Sequence, residues 1–135
     1  MALSSDRDTP RRDGNRVTPG VGVGAKIYAG SLVMKNAAGY AVPGSEAAGC
    51  LGLGRANETV DNTAGQNGDL TVDVDKGVFR FKNSADADLI TIADRGNDCF
   101  IVDDETVAKT SSNGDRSVAG KVFDVDAAGV WVKFE

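Results

Sequence analysis

Any chemistry in this chain has to be done without histidine. None of its 135 residues is His. The commonest general base and the commonest metal ligand are therefore both absent, and with them His-containing triads and zinc sites that use His. What remains is two Cys, a Gly run beside a Lys, and several paired Asp. Cys50 and Cys99 sit in apolar strings, GCLGL and DCFIV, the setting of an inert thiol rather than of an activated nucleophile. Two Cys are too few for a disulfide scaffold. The expectation is two reduced, partly buried thiols, with a single bridge left open. Gly20, Gly22, Gly24 and Lys26 (GVGVGAK) look at first like a phosphate loop, but no Ser or Thr follows the Lys and the Walker spacing is missing. Gly52-Leu53-Gly54-Arg55-Ala56-Asn57 lacks the third Gly of a dinucleotide fingerprint.

Acidic pairs occur at Asp73/Asp75, Asp86/Asp88, Asp103/Asp104 and Asp124/Asp126, and hard cations favour clustered carboxylates. The best of them, Asp73-Val74-Asp75-Lys76-Gly77, lacks the further oxygen ligands and distal Glu of an EF-hand loop. In an alternating strand it is a solvated face that discourages edge pairing. No nucleophile stands beside a base. The expectation is no enzyme, no catalytic residue, no metal and no cofactor.

Charge has a second use. The chain carries 15 Lys+Arg against 20 Asp+Glu, for a net charge of −5 and a pI near 4.7, which argues against nucleic acid as a partner of the whole domain. Its distribution is uneven. Residues 1–20 hold four Arg and three Asp, net +1, and residues 21–135 hold eleven Lys+Arg and seventeen Asp+Glu, net −6. The first segment, MALSSDRDTPRRDGNRVTPG, is too poor in apolar groups to fold alone. It reads as an extended arm ahead of a single domain over 21–135. Arg7, Arg11, Arg12 and Arg16 are its candidate partner-binding residues. The start of the chain has no apolar core of a secretory signal, and no run approaches the ~20 apolar residues of a membrane helix, so no membrane role is expected.

The elements that must position these groups read as strands. Apolar residues make up 41%, only 6% are aromatic, and there are 17 Gly, a composition of short strands and many turns. Residues 25–35 and 40–42 flank Asn36-Ala37-Ala38-Gly39 as a hairpin. Residues 48–56 form a strand that Gly49, Gly52 and Gly54 can bend. Leu70 to Val74 and Val78 to Lys82 each alternate, which predicts a hairpin turning at Asp75-Lys76-Gly77, with Asn67-Gly68 and Asn113-Gly114 as further hairpin pairs. Residues 84–94 are ambiguous, and Ser84 and Asp86 suit the start of one short helix. Cys99 to Val102 is a buried strand. Residues 118–125 and 130–134 flank Asp126-Ala127-Ala128-Gly129. KNAAGYAV at 35–42 and VDAAGVWV at 125–132 reuse one turn chemistry. The fold class is all-β: a small antiparallel β-barrel or sandwich with an extended N-terminal arm and at most one short helix.

The order of these segments resembles the small capsid decoration (cement) proteins of tailed bacteriophages and prophages. The residues that carry the resemblance are YAGSLV at 28–33, NAAGYA at 36–41, AGCLGLGRA at 48–56, VDKGVF at 74–79, IADRG at 92–96, VDDETVA at 102–108, RSVAGKV at 116–122 and GVWV at 129–132. It covers about residues 25–135 and no part of the arm. It implies a β-rich, non-catalytic protein that sits as a homotrimer on the outer face of the head shell and stiffens it. The implied partner is the major capsid protein, and the implied location is the virion, after synthesis in the host bacterial cytoplasm.

The last hairpin bears on oligomerisation. Alternation sets Trp131 opposite Val130 and Val132. Val118, Val122, Val130 and Val132 read as more apolar surface than one layer of a small barrel hides. Val130, Trp131 and Val132 are therefore the candidate oligomer interface. The alternative reading is a carbohydrate- or host-surface-binding module with Tyr28, Tyr40 and Trp131 as its aromatic platform. A small β-barrel enzyme subunit is the weakest reading, for want of acid and base groups.

Overall fold

The computed structural model describes residues 2–135; Met1, the first residue of the expected arm, lies outside the described residues. Twelve strands follow in order: β1 (Arg16–Val17), β2 (Lys26–Ile27), β3 (Leu32–Lys35), β4 (Ala41–Pro43), β5 (Leu51–Ala56), β6 (Val60–Asp61), β7 (Val74–Asp75), β8 (Gly77–Phe81), β9 (Asp98–Ile101), β10 (Val107–Ala108), β11 (Val118–Asp126) and β12 (Gly129–Phe134). They form two five-stranded sheets, β1-β7-β5-β3-β4 and β10-β9-β11-β12-β8, and a ribbon of β2 with β6. Every pairing between these strands is antiparallel. The protein is all-β and sandwich-like, and the sheets do not close into a barrel.

Strand β3 shows why the sandwich has two cores. Its run Leu32-Val33-Met34 is apolar without alternation, which suits a strand covered on both faces. Leu32 and Met34 point between the two large sheets, into a cluster with Phe81, Ile90, Ile101, Val122, Val130, Val132 and Phe134. Val33 points the other way, into a second cluster with Val21, Ile27, Ala41, Val60, Val72 and Val74. The β2–β6 ribbon supplies Ile27 and Val60 to that second layer.

The sheets meet where β5 crosses β11. A side chain on Gly52 would place its Cβ 2.1 Å from the Ala119 carbonyl oxygen, and one on Gly54 would sit 2.1 Å from that of Asp75. Only glycine lets these backbones approach so closely. Leu53 is the extra residue of a bulge, since Val33 pairs with Gly54 and Met34 with Gly52.

Both hairpins built on an Asx-Ala-Ala-Gly turn form as expected. Asn36 Oδ1 accepts from the backbone N–H groups of Ala38 and Tyr40. Asp126 Oδ1 accepts from those of Ala128 and Gly129. In each case a side chain closes its own turn, chemistry that is local in sequence.

Three expected hairpins do not form. Asp75-Lys76-Gly77 carries the chain from one sheet to the other: β7 pairs with β1 and β5, whereas β8 pairs with β12. Leu70 is exposed while Val72 and Val74 are fully buried, so the alternation reports two separate packing environments. At Asn67-Gly68 only Gly68 has a positive φ, so the pair is not the type I′ turn that needs both. Asn67 Oδ1 instead accepts from the Val23 N–H. At Asn113-Gly114 the chain passes the end of β9, because β10 and β11 both pair with β9 and not with each other.

No α-helix is present among the described residues. The ambiguous stretch holds two single 3₁₀ turns, Asp86–Asp88 and Ile92–Asp94. Ser84 does not cap a helix; its hydroxyl donates to the Val107 carbonyl. The second turn is held by Asp94, whose Oδ2 accepts from the Thr91 N–H at 2.8 Å.

Candidate partner-docking surface

The expected arm divides at Asn15. Residues 2–14 are exposed throughout, and their hydrogen bonds are local. Arg7 Nη1 donates to Thr9 Oγ1 at 2.6 Å, and Asn15 Nδ2 donates back to Asp13. From Asn15 onward the chain belongs to the body. The Asn15 carbonyl accepts from Lys76 N–H, the Pro19 carbonyl from Val72 N–H, and β1 lies along β7. Arg16 therefore differs from Arg7, Arg11 and Arg12. Its Nε lies 2.9 Å from Asp75 Oδ1, which raises its pKa further. A hydrogen bond from Asn57 and then Arg16 hold the Asp75 carboxyl below its ordinary value. Arg16 fastens the arm, and the three outer arginines are exposed and make no ion pair among the described residues.

The C-terminal hairpin separates its three candidates. Val130 and Val132 are 0% exposed, and Val122 is 2% exposed. The second sheet's inner face thus hides within one chain three of the four valines that looked surplus, because the sandwich supplies a facing layer; Val118 stays partly exposed. Trp131 alone of the three faces outward and is partly exposed. Its position is set by two neighbours. The indole Nε1 donates to Asp126 Oδ2 at 2.8 Å, and the Arg80 guanidinium, directly across the strand pair, lies 5.6 Å from the ring centroid. That indole hydrogen bond is the leading reason the Asp126 carboxyl sits below its ordinary value. The sequence marked Asp126 as half of an acidic pair and as a turn residue; in the structure its Oδ1 closes the turn and its Oδ2 orients the Trp.

Around Trp131 lies a groove of about 320 Å³, walled by Gly30, Arg55, Phe79 and Arg80. The Arg55 guanidinium stacks 4.5 Å from the Phe79 ring centroid. On the other side of Gly30 the surface continues as a second hollow of about 360 Å³, walled by Tyr28, Ser31, Asp104 and Glu105. Tyr28 is exposed, with Lys26 Nζ 5.1 Å from its ring centroid. Tyr40 lies elsewhere, its ring against Gly20 and Gly68. Asp104 has its pKa raised by burial and by neighbouring Asp103, and Glu105 pairs with Lys82. Two of the three expected aromatics thus line one surface. The polar residues between them, Ser31, Arg80 and Asp104, come from three distant segments, and no local spacing signals their meeting.

The remaining groups stay apart. Cys50 and Cys99 are free thiols, and burial pushes the Cys99 thiol up to about 12. Most members of the acidic pairs are engaged in structure. Asp88 accepts from Thr110 and pairs with Arg116, and Asp124 pairs with Arg95. Among the described residues no group of three Cys, Asp or Glu is placed to hold a metal ion, and no helix is long and apolar enough to cross a membrane. No protein-family model, curated protein or solved structure matches this chain.

Proposed function

We propose that this chain is a non-enzymatic structural protein that docks on the outer surface of an icosahedral phage or prophage-derived capsid and stiffens it, acting as a homotrimer. The observation that carries the reading is the arm: residues 2–14 are exposed along their whole length, while β1 and the Arg16–Asp75 pair tie their base to a cross-braced sandwich. An extended segment that orders only on a partner can span neighbouring subunits. Three arms on one trimer add through effective concentration. A protein that binds the assembled lattice better than free subunits stabilises the lattice by mass action. The partner is then the major capsid protein, and the location the virion surface.

The test is co-sedimentation with expanded empty shells, full chain against a chain lacking residues 2–14. The cut spares Asn15 and Arg16, so the body keeps β1. Loss of binding by the truncated chain, with its circular dichroism unchanged, is the expected result. Binding equal to that of the full chain would refute the arm's role.

A second reading, a carbohydrate- or host-surface-binding module, is favoured by one observation: Tyr28 and Trp131 lie on two hollows that share Gly30. Aromatic faces flanking polar side chains suit a saccharide. Retention on immobilised host polysaccharide that Trp131→Ala abolishes would support it over the shell reading.

A further inference from the structure

The two Asn-Gly pairs, neither of which makes the hairpin its sequence suggests, are held in opposite ways. In this dipeptide the glycine nitrogen can reach the asparagine carboxamide, because no side chain on the glycine stands in the way. Both asparagines are exposed, so access to water does not separate them. Their hydrogen bonds do. Asn67 Oδ1 accepts from the Val23 N–H at 2.8 Å, and the Gly68 N–H donates at 3.0 Å to the carbonyl of Val21, a fully buried residue. The carbonyl just before, of Gln66, accepts from buried Asn62. Freeing Gly68 means pulling the chain off the core. Asn113-Gly114 has no such ties. The side-chain bonds of its loop run from Thr110 and Arg116 and to Ser111, and the Asn113 carboxamide has none among the described residues. The Gly114 N–H is shared between the carbonyl and the hydroxyl of Ser111, both 3.2 Å away, the long end of the range. Ser112 and Asn113 have φ of 52° and 59°, a left-handed conformation that non-glycine residues hold at a cost. No heavy atom lies within 4 Å of where a Gly114 Cβ would stand.

We propose that Asn113-Gly114 is a self-modification site, where the folded chain deamidates without an enzyme, and that the fold protects Asn67-Gly68 from the same reaction. The Gly114 nitrogen gives its proton to hydroxide and attacks Cγ of Asn113. The N–Cγ bond forms, the Cγ–Nδ2 bond breaks, and ammonia leaves with a proton from water. Water then opens the succinimide ring at either carbonyl, leaving aspartate or isoaspartate at position 113. Water is the only co-reactant, and nothing is oxidised or reduced. The reaction needs the tip to open and release the Gly114 N–H. Opening is cheap there, because the backbone bonds of residues 112–115 stay within 111–116 and touch no core residue. The ends of the tip are pinned meanwhile: Thr110 bonds Asp88, and Arg116 bonds Glu46 and Asp88. The body therefore keeps its fold while the tip gains a carboxylate, and the formal net charge of −5 falls by one unit. The inference does not depend on the proposed function.

The test is to age the full chain at mildly alkaline pH and body temperature. Samples are digested at acidic pH, and mass spectrometry locates each gain of about 1 Da. Asp13-Gly14 in the arm can pass through the same ring, but it loses and regains water and so leaves the mass unchanged. In the native chain Asn113 should convert at least about tenfold faster than Asn67, the ratio set by the cost of opening each site. It should give two products of equal mass that chromatography separates, and convert more slowly as pH falls. In guanidinium chloride, where neither site is protected, the two asparagines should convert at comparable rates. An Asn113→Gln chain, checked by circular dichroism, should form the acidic species seen on ion exchange far more slowly. Equal rates at Asn67 and Asn113 in the native chain would overturn the proposal. So would a rate difference that persists in guanidinium chloride, or an acidic species that forms as fast in Asn113→Gln.

Discussion

Replacing Gly52 with Ala adds one methyl group at the point where the two sheets touch. The new Cβ would stand 2.1 Å from the Ala119 carbonyl oxygen and 2.8 Å from its carbonyl carbon and Cα. Ordinary contact needs about 3.2 Å or more, so the strands have to separate by roughly 1 Å. Nothing flexible can yield, because all three obstructing atoms are backbone. Moving β5 off β11 also loosens Met34 and Ala119, which close the core between the sheets. Overpacking a core typically costs ~1 to 3 kcal/mol, and a backbone-on-backbone clash belongs at the upper end, about 3 kcal/mol. For a domain of this size that lowers Tm by about 10 °C. Urea unfolding followed by circular dichroism measures it: the midpoint should fall with little change in slope. Gly14→Ala is the control, since nothing lies within 4 Å of its Cβ position, and it should leave the midpoint where it was. A Gly52→Ala protein within 0.5 kcal/mol of wild type would refute the close approach of β5 and β11.

Asn62 is 2% exposed and its Nδ2 donates to the carbonyls of Val21, Gly22 and Gln66; Asn62→Ala strands those acceptors and should cost about 2 to 3 kcal/mol by urea unfolding. Asp75, Asp88, Asp124 and Asp126 all have folded-state pKa values below their ordinary ones, so the stability they add is present above the unfolded carboxylate pKa of about 4 and is lost as pH falls through the folded values. Urea midpoints should therefore drop steeply below about pH 4, and Asp75→Asn should flatten part of that drop. Asp104 has the opposite sign: its raised value makes the ionised form unfavourable in the fold, so Asp104→Asn should raise the midpoint at pH 7 and leave it unchanged at about pH 3. Cys99 is fully buried with its thiol pushed up to about 12, so a thiol reagent near neutral pH should label Cys50 alone in the native protein and both cysteines after unfolding, as mass spectrometry would read.

Much of the fold was legible because much of it is local. Hairpins β3–β4 and β11–β12 each turn on an Asx side chain that bonds amides two to four residues on, so the sequence by itself specified them. It also set the all-β class, through short apolar runs broken by glycine, and the solvated start of the chain, which has too little apolar surface to fold. Pairing between distant strands was not legible. Val72 and Val74 alternate as well as any hairpin strand, yet β7 joins β1 and β5 while β8 crosses to β12. Alternation records that a residue is buried, not which layer buries it. The same limit applied to Val130 and Val132, which looked available for a partner until a facing sheet covered them, and to Arg16, whose role depends on Asp75 from a strand far along the chain. The surface around Gly30 is the extreme case. Arg80 lines one of its hollows and Asp104 and Ser31 the other; the two share Gly30 only because distant segments fold against one another, and that packing leaves no periodic trace in the sequence.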